Sequence, residues 1–374
     1  MYLYNQKKFR YIFPFIVLIL SIILSLILLE LIFGNWFKTN EWLKANNLNI
    51  IRNREIVYNT EKITGVKDST IKYSRNEFGL RDNCKSISDI KIITIGGSTT
   101  DQRYIDDSKT FQTLLQKKIL KEFNKIYCIS NAGIDGHSSF GHLYSFKYWF
   151  NLIPNLRPDY FLLYIGINDA SLRLKPRIGI EHPEKKKIDS LIYKFKENSA
   201  FYSLLRKLKD YWSQNTNGIF AMHSYEVPSL ENYNSNKKTI SLENLIKENS
   251  MYFSERLKKI IYEIKTYGSK PICVSQPHLF VELKNGKKFG FDKVSSFQGK
   301  NINGIDFQES LNLINNIMKK ECVLNGGYFF DIASRKFDKS DFYDLVHMSP
   351  KGTQKLADYL FYEMSNYNLI NHLN

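Results

Sequence analysis

Short apolar runs alternate with longer helical stretches along most of this 374-residue chain. Each apolar run is only a few residues long and rich in Ile, Tyr and Phe, which is typical of a strand buried on both faces. The strand runs are 91–95, 126–130, 160–165, 271–275 and 327–332, and the predicted helices are 109–123, 138–152, 241–267, 307–325 and 350–364. The alternation predicts an α/β fold whose parallel sheet is covered by helices on both faces. In such a fold, functional residues collect where the strands end at their carboxyl edge.

Two stretches interrupt the alternation. Residues 171–240 are long, charged and rich in Tyr, and residues 281–306 form a Gly- and Lys-rich loop. Both follow predicted strands at the same carboxyl edge. They either shape access to a site there or decorate the surface, and the sequence leaves both interpretations open.

The first strand run, KIITI, ends in Gly96-Gly97-Ser98-Thr99-Thr100. This turn lacks the second glycine and the lysine of a phosphate-binding loop, and it does not match the G-x-G-x-x-G of a dinucleotide site. It also departs from the nucleophile elbow G-x-S-x-G, because Thr100 stands where the last glycine would be. Ser98 is therefore either a turn residue or a nucleophile, and the turn alone does not decide between them.

A second motif lies near the C-terminus, where FYDLVHMSPKG carries Asp344 and His347 three residues apart. The Asp344 carboxylate can fold back within one turn to accept a hydrogen bond from Nδ1–H of the imidazole, which leaves Nε2 for a serine hydroxyl. A serine needs such a relay because its neutral hydroxyl is a poor nucleophile until histidine removes the proton. The alternative is a local turn aspartate beside a surface histidine.

Two further loops offer hydrogen-bond donors. SNAGIDGHSS follows the second strand and carries Gly133 and Gly136, and YIGINDAS follows the third strand and carries Asn168. Acyl transfer needs donors aimed at the developing oxyanion, and a glycine lets a backbone N–H approach closely. The Asn168 amide and the Ser98 N–H are further donors. Gly and Asn are also common in ordinary turns, but four such stretches at successive strand ends favour a site.

The order Gly-Ser, Gly, Asn-Asp and Asp-x-x-His resembles the SGNH/GDSL hydrolases, a family of esterases named for Ser, Gly, Asn and His. The resemblance covers about residues 88–366 and implies a three-layer, flavodoxin-like α/β sandwich with a central parallel sheet. One departure is that the family's G-D-S reads Gly-Gly-Ser here, with Gly97 in place of the acidic residue. Membrane-anchored relatives resemble this G-G-S-T form and also show an N-x-x-G-x-R element like Asn76 to Arg81. Because the serine stays, the departure concerns the local turn more than the chemistry.

The family's roles carry over to matching positions of this chain. The resemblance implies that Ser98 is the nucleophile and that His347 is the general base, oriented by Asp344. It implies an oxyanion hole formed by Ser98, Gly136 and Asn168, with Gly133 as the alternative register. His278, after the fourth strand, is a candidate substrate-binding residue.

The N-terminus predicts a membrane span. Residues 11–29 contain no charge, and after Glu30 the apolar run continues to Phe33. As a helix this run is about 28 to 35 Å long, which crosses a bilayer's hydrocarbon core. Three basic residues precede it and place the N-terminus in the cytoplasm: Lys7, Lys8 and Arg10. A cleaved signal peptide is the alternative, but the run is long and no A-x-A-like cleavage site follows it.

These observations predict a single-pass protein whose catalytic domain is periplasmic or on the cell surface. The predicted segments are a cytoplasmic N-terminus (1–10), a transmembrane signal anchor (11–33), a stalk and lead-in (34–88) and an SGNH-hydrolase-like domain (89–366) with an insertion (171–240).

Charge and cysteine content limit the binding partners and cofactors that we expect. The formal net charge is +16, but the 53 Lys and Arg residues are scattered and form no stripe, so we predict no specific nucleic-acid binding. The four cysteines show neither CxxC nor metal-ligand spacing. Cys128 and Cys273 lie within strand runs, where we expect small buried hydrophobes, and nothing in the spacing demands disulfides. Triad chemistry needs no metal, and we predict no metal or other cofactor.

The family resemblance implies ester substrates, often acyl groups on sugars. Together with the anchor, it favours an extracytoplasmic serine esterase or acyltransferase acting on O-acyl or O-acetyl groups of envelope polysaccharide. The alternatives are a lipase, lysophospholipase or thioesterase at the membrane surface, or a catalytically inert glycan-binding module. Aromatic residues of the insertion either stack on sugar rings or, as we expect, pack as a helix face: Tyr193, Phe195, Phe201, Tyr202, Tyr211 and Trp212.

Overall fold

The computed structural model describes residues 2–37, 41–63, 65–184, 187–220, 225–239, 242–297 and 299–372. The chain divides into two compact units, one made of residues 1–40 and 185–212 and the other of residues 41–184 and 213–374.

The helices and strands of the described residues are as follows. The α-helices are α1 (Tyr2–Phe33), α2 (Leu43–Asn47), α3 (Ser98–Asp101), α4 (Phe111–Phe123), α5 (Ser139–Tyr148), α6 (Lys187–Asn198), α7 (Ala200–Asn215), α8 (Glu243–Thr266), α9 (Gly304–Leu324), α10 (Pro350–Asn366) and α11 (Leu369–His372). The strands are β1 (Arg54–Asn59), β2 (Thr70–Arg75), β3 (Ile90–Gly96), β4 (Cys128–Asn131), β5 (Tyr160–Tyr164), β6 (Ile219–Phe220), β7 (Tyr233–Ser235), β8 (Lys270–Val274), β9 (Val281–Lys284), β10 (Lys287–Phe291), β11 (Ser295–Phe297), β12 (Lys300–Ile302) and β13 (Tyr328–Phe330).

Five parallel strands form the central sheet of the larger unit, in the order β13-β8-β5-β3-β4. Numbered along the chain from the first of them, the order is 2-1-3-4-5, which is the flavodoxin-like doubly wound arrangement. The predicted α/β fold with a central parallel sheet is confirmed. The strand order reverses beside β3, so a crevice opens at the carboxyl ends of β3 and β5.

Helices cover both faces of this sheet because β3 is apolar on both sides. Ile92 packs in one hydrophobic cluster with Phe111 of α4 and Leu356 of α10. Its neighbour Ile93 points the other way and packs in a second cluster with Leu257 of α8. The uninterrupted apolar strands of the sequence are therefore the middle layer of three.

Residues 41–88, which are the larger part of the predicted stalk and lead-in (34–88), contain α2 and the antiparallel pair β1–β2. The turn that begins at Asn76 is closed by the Asn76 side chain, which accepts hydrogen bonds from the N–H groups of Phe78 and Leu80 at 3.0 Å each. Arg81 then donates to the carbonyls of Asp101 (2.6 Å) and Gln102 (2.9 Å) at the end of α3. This lead-in therefore fixes the short helix that starts at Ser98.

Helix α1 contains a stretch of 21 residues, Phe13–Phe33, that is long and apolar enough to cross a membrane. By length and composition it fits either a span or a signal sequence.

All four cysteines are paired, as Cys84–Cys128 and Cys273–Cys322. Their Cα atoms are 5.6 Å and 6.3 Å apart, within the ordinary range for disulfides. Cys128 and Cys273 are buried in strands, as expected, but each is bonded to a partner more than 40 residues away in sequence. Nothing in the sequence spacing showed these pairs because the fold alone brings them together.

Candidate active site

Ser98 lies at the carboxyl edge of the sheet, two residues after the end of β3, as the first residue of α3. The turn before it is tight because Gly97 faces another loop. A Cβ on Gly97 would lie 2.5 Å from Nδ2 of Asn168 and 3.1 Å from the carbonyl oxygen of His137. Because Gly97 has no side chain, the loops after β3, β4 and β5 can meet beside Ser98.

A continuous hydrogen-bonded relay connects Ser98 with the C-terminal motif. The Ser98 hydroxyl is 2.7 Å from Nε2 of His347, and Nδ1 of His347 is 2.6 Å from the carboxylate of Asp344. The same carboxylate accepts from the backbone N–H groups of Val346 (2.8 Å) and His347 (2.7 Å). The three-residue spacing thus closes one turn in which Asp344 faces the imidazole. With the imidazole proton on Nδ1, Nε2 is free to accept the serine proton.

Asp344 and His347 each favour the charged form of the other. Burial alone would lower the pKa of His347, but the Asp344 carboxylate, its hydrogen bond and the charges of Asp135 and Asp101 hold that pKa above its usual value. Burial alone would raise the pKa of Asp344, but the His347 charge and the hydrogen bonds of the turn keep it below its usual value. The aspartate is therefore ionised near neutral pH and stabilises the protonated imidazole.

Tyr343 holds the plane of the histidine ring. Its ring lies nearly parallel to that of His347, with an interplanar angle of 6° and centroids 5.5 Å apart. Tyr225 packs edge-on against Tyr343, also at 5.5 Å. The imidazole is thus positioned by Asp344 within its plane and by Tyr343 on its face.

Asn168 provides an amide beside the serine. Its Nδ2 donates to the carbonyl of His137 at 2.8 Å and lies against the turn at Gly97. Ser98 and Asn168 line the same cavity as Asp344 and His347. The structure therefore brings four of the predicted site residues to one place.

The two candidate glycines differ in what their N–H groups do. The N–H of Gly133 donates to the side chain of Asn131 at 2.8 Å, so it is not available to a substrate. Among the hydrogen bonds of the described residues, none uses the N–H of Gly136. Gly136 is not among the described residues that line the cavity, and it immediately precedes His137, whose carbonyl holds the Asn168 amide.

Arginine side chains hold the loop at Gly136. Arg173 donates to the Gly136 carbonyl at 2.9 Å, and Arg177 donates to the same oxygen. Arg173 also lines the cavity. Neither arginine was predicted, because a single arginine in a charged insertion has no pattern that distinguishes it.

The cavity has a volume of about 690 Å³, and the two stretches that interrupt the strand–helix alternation supply much of its wall. Residues 225–229 and Asn232 come from the first stretch, and Phe291, Val294 and Ser295 come from the second. Both stretches therefore shape the site. The aromatic wall residues were missed because isolated phenylalanines in a Gly- and Lys-rich loop look like surface residues.

His278 does not line the cavity among the described residues. Its ring stacks on Phe280, with centroids 4.8 Å apart, and its Nδ1 accepts from the Phe280 N–H at 3.2 Å. Burial lowers the pKa of His278 to about 4, so the ring is neutral at physiological pH. Its contact with the cavity is indirect, through Phe280.

Comparison with known proteins identifies the family of the chain. A family model described as GDSL-like Lipase/Acylhydrolase matches residues 92–360. None of the curated proteins is significantly similar to the chain in sequence. An acetyl xylan esterase structure is 14% identical, covers 73% of this chain and 99% of its own, and has a TM-score of 0.39. An acetyl xylan esterase from Geobacillus stearothermophilus is 12% identical over 74% of this chain and 96% of its own, with a TM-score of 0.40.

The family model spans more than two thirds of the chain and includes both ends of the relay. It confirms the resemblance that the four motifs indicated and the class of serine ester hydrolases that they predicted. This chain belongs to the GDSL-like lipase/acylhydrolase family.

Proposed function

We propose that the protein is a membrane-anchored, extracytoplasmic serine esterase in which Ser98 is the nucleophile and His347 the general base, oriented by Asp344. The observation that carries this proposal is the unbroken relay from Asp344 through His347 to Ser98 at the wall of one cavity. Each of the three side chains has the partner that its role requires.

The reaction proceeds through an acyl-enzyme. The Ser98 oxygen attacks the ester carbonyl carbon while its proton passes to Nε2 of His347, and the carbonyl oxygen becomes an oxyanion. The N–H of Ser98 and the Asn168 amide are the donors we propose for that oxygen, because both residues line the cavity. The N–H of Gly136, which is not among the described residues that line the cavity, stays a prediction of the family resemblance. The intermediate collapses as His347 returns the proton to the leaving alcohol. Water then attacks the acyl-enzyme and gives a proton to His347. His347 passes this proton to the Ser98 oxygen as the carboxylic acid leaves.

The substrate we propose is an O-acyl or O-acetyl group on envelope polysaccharide. Hydroxyl, amide and guanidinium groups on the cavity wall suit the hydroxyls of a sugar: Ser171, Arg173, Ser229, Asn232 and Ser295. The same acyl-enzyme acts as a transferase when a sugar hydroxyl replaces water, and residues that exclude water decide between the two outcomes.

The proposed location rests on two independent features. Helix α1 carries a stretch long enough to span a membrane, and the basic residues before it favour a cytoplasmic N-terminus. Two disulfides in the larger unit suit an oxidising compartment outside the cytoplasm. A C-terminal alkaline phosphatase fusion is expected to be active, and an inactive fusion with full expression would contradict this topology.

A second candidate is a lipase, lysophospholipase or thioesterase at the membrane surface. It is favoured by the apolar part of the cavity wall, where Phe280 and Phe307 pack with centroids 4.2 Å apart beside Phe291 and Val294. Such a wall suits an acyl chain longer than acetyl.

Activity tests separate these candidates. The full-length protein is assayed with p-nitrophenyl acetate, comparing wild type, Ser98→Ala and the control Ser229→Ala, which removes another hydroxyl from the cavity wall. We expect Ser98→Ala to lose at least about 10³-fold in kcat and Ser229→Ala to stay within about tenfold. Equal turnover of wild type and Ser98→Ala would instead favour an inert glycan-binding module.

The acyl group and the acceptor need separate measurements. A series of p-nitrophenyl esters from acetate to decanoate is expected to favour short chains, and a marked preference for long chains would replace the polysaccharide proposal with the lipase. For the transferase variant, an acyl donor and an oligosaccharide should yield acylated sugar, whereas free acid alone would identify a hydrolase.

A further inference from the structure

The helices α6 and α7 turn apolar side chains outward. On α7 these side chains recur at i, i+3, i+4, i+7 and i+11, which is one face of a helix. They are Phe201, Leu204, Leu205, Leu208 and Trp212, and they are 48–68% exposed. Asp210, on the opposite side of the helix, is only 8% exposed. A helix facing water has the reverse arrangement, with its apolar face buried.

The expectation that the aromatic residues of the insertion pack as a buried helix face is therefore wrong for those most exposed. Phe195, Phe201, Tyr211 and Trp212 are each more than half exposed, and Tyr202 is partly buried. The side chain of Tyr193 lies outside the described part of the chain. On α6, Leu191 and Ile192 extend the exposed apolar surface.

Helices α6 and α7 lie against the C-terminal end of α1. The Phe201 N–H donates a hydrogen bond to the Glu30 carboxylate of α1 at 3.1 Å. Just after α1, the Asn35 N–H donates to the Asn198 carbonyl at 2.8 Å. The rings of Trp36 and Phe195 pack with their centroids 5.9 Å apart. Glu30, the charge that interrupts the apolar run, thus accepts a hydrogen bond from the first turn of α7. The exposed apolar face begins where the proposed span ends.

The same segment is basic. Residues 185–212 contain eight Lys and Arg residues and three Asp and Glu residues. An exposed apolar face combined with basic polar positions is characteristic of helices that lie in the membrane interface, and Trp and Tyr are enriched at that depth.

We propose that the α6–α7 pair lies in the headgroup region of the bilayer that α1 crosses, with its apolar face at the acyl boundary and its basic residues on lipid phosphates. The occupant of this face is the lipid surface itself. The proposal rests on the anchor in the proposed function and adds a second membrane contact to it.

The test uses the full-length protein in phosphatidylcholine–phosphatidylglycerol nanodiscs, with one added cysteine carrying an NBD fluorophore. The native cysteines are all disulfide-bonded and do not compete for the label. Leu205→Cys reports on the apolar face, Leu20→Cys on the span, and Lys207→Cys is the control on the polar side of α7. Nitroxide lipids and aqueous iodide serve as the two quenchers.

We expect nitroxide lipid to quench the labels at Leu20 and Leu205, and iodide to quench the label at Lys207 more strongly than either. Quenching at Leu20 without quenching at Leu205 would overturn the interfacial contact and leave the anchor intact. Quenching at Leu205 without quenching at Leu20 would refute the span while supporting the interfacial contact.

A charge variant tests the same face without touching the proposed active site. Leu204→Glu/Leu208→Glu, made in the labelled Leu205→Cys protein, is expected to abolish lipid quenching of the label. The matched change Lys207→Glu is expected to preserve it, and p-nitrophenyl acetate turnover should stay unchanged in both. A dimer mass in detergent, together with a Leu205 label that lipid does not quench, would show that a second copy covers the face and would overturn the proposal.

Discussion

Replacing Gly97 by alanine is expected to impair catalysis without impairing folding. Gly97 has a φ of −86° and a ψ of −146°, so the change to alanine does not place a Cβ in the left-handed region, where its cost would be largest. The closest obstacle is the Asn168 amide, because the new Cβ would lie 2.5 Å from its Nδ2, compared with 3.1 Å from the His137 carbonyl oxygen. Nδ2 is the end of a side chain, which moves at little cost to stability. The amide would then no longer point to the proposed oxyanion position.

The size of the effect follows from the displacement. To move from 2.5 Å to ordinary contact at 3.4 Å, Nδ2 must retreat by about 0.9 Å. A misplacement of about 1 Å reduces rates by about 10²-fold, and loss of one oxyanion donor reduces kcat by about 10²- to 10³-fold. We therefore expect kcat to fall by about 10²-fold, which corresponds to about 2.7 kcal/mol of transition-state stabilisation.

The assay is p-nitrophenyl acetate turnover at saturating and limiting substrate, together with thermal unfolding of each variant. Gly97→Ala should lower kcat and lower Tm less than Gly133→Ala does, since its closest new contact is a side-chain amide and the nearest backbone atom, the His137 carbonyl oxygen, lies at 3.1 Å. Gly133→Ala is the contrast, because its Cβ would strike the backbone of Thr100 and Asp101, so we expect both Tm and activity to fall.

A double-mutant comparison identifies the mechanism of the loss. If Gly97→Ala acts through Asn168, adding it to Asn168→Ala should reduce kcat little further, since the donor is already gone. Full activity of Gly97→Ala, or a further 10²-fold loss in the Asn168→Ala background, would refute the reasoning.

Three further predictions concern the relay and the disulfides. Asp344→Asn should lower kcat/KM by about 10³- to 10⁴-fold. His347 must be neutral to act, and Asp344 raises the pKa of His347. The acid limb of the pH profile of kcat/KM should therefore lie above 6.5 in wild type and move to lower pH in the variant. Tyr343→Phe keeps the stacked ring and should leave the acid limb of the pH profile of kcat/KM in place. Tyr343→Leu removes the ring and should shift that acid limb. The double change Cys84→Ser/Cys128→Ser opens a 44-residue loop and should lower the free energy of unfolding by about 4 kcal/mol in urea; an unchanged midpoint would show that the bond is not formed.

The sheet could be predicted from the sequence because its strands are buried on both faces. Ile92 and Ile93 of β3 pack into opposite hydrophobic clusters, so no polar residue interrupts the run. The meeting of Ser98 and His347 was also predictable, although 249 residues separate them. The carboxyl ends of parallel strands lie at one edge of the sheet, and a serine at that edge needs a base to be reactive.

The rest of the site could not be predicted, for physical reasons. The cavity wall is built from irregular loops, in which Phe291 and Tyr225 have no periodic neighbours that would signal burial. The Gly136 carbonyl is held by Arg173 through a contact that depends on the course of a charged insertion. The exposed face of α7 has the period of a buried helix, because periodicity shows that a face is apolar but not whether protein or lipid covers it.

The central claim is that Ser98 forms the acyl-enzyme, and covalent trapping tests it most directly. The full-length protein is treated with a fluorophosphonate, digested and analysed by peptide mass spectrometry while residual esterase activity is followed. We predict one adduct on the peptide that contains Ser98, formed in proportion to the loss of activity and absent in His347→Ala. Activity that disappears with the adduct on another residue, or that persists after Ser98 is fully modified, would contradict the account.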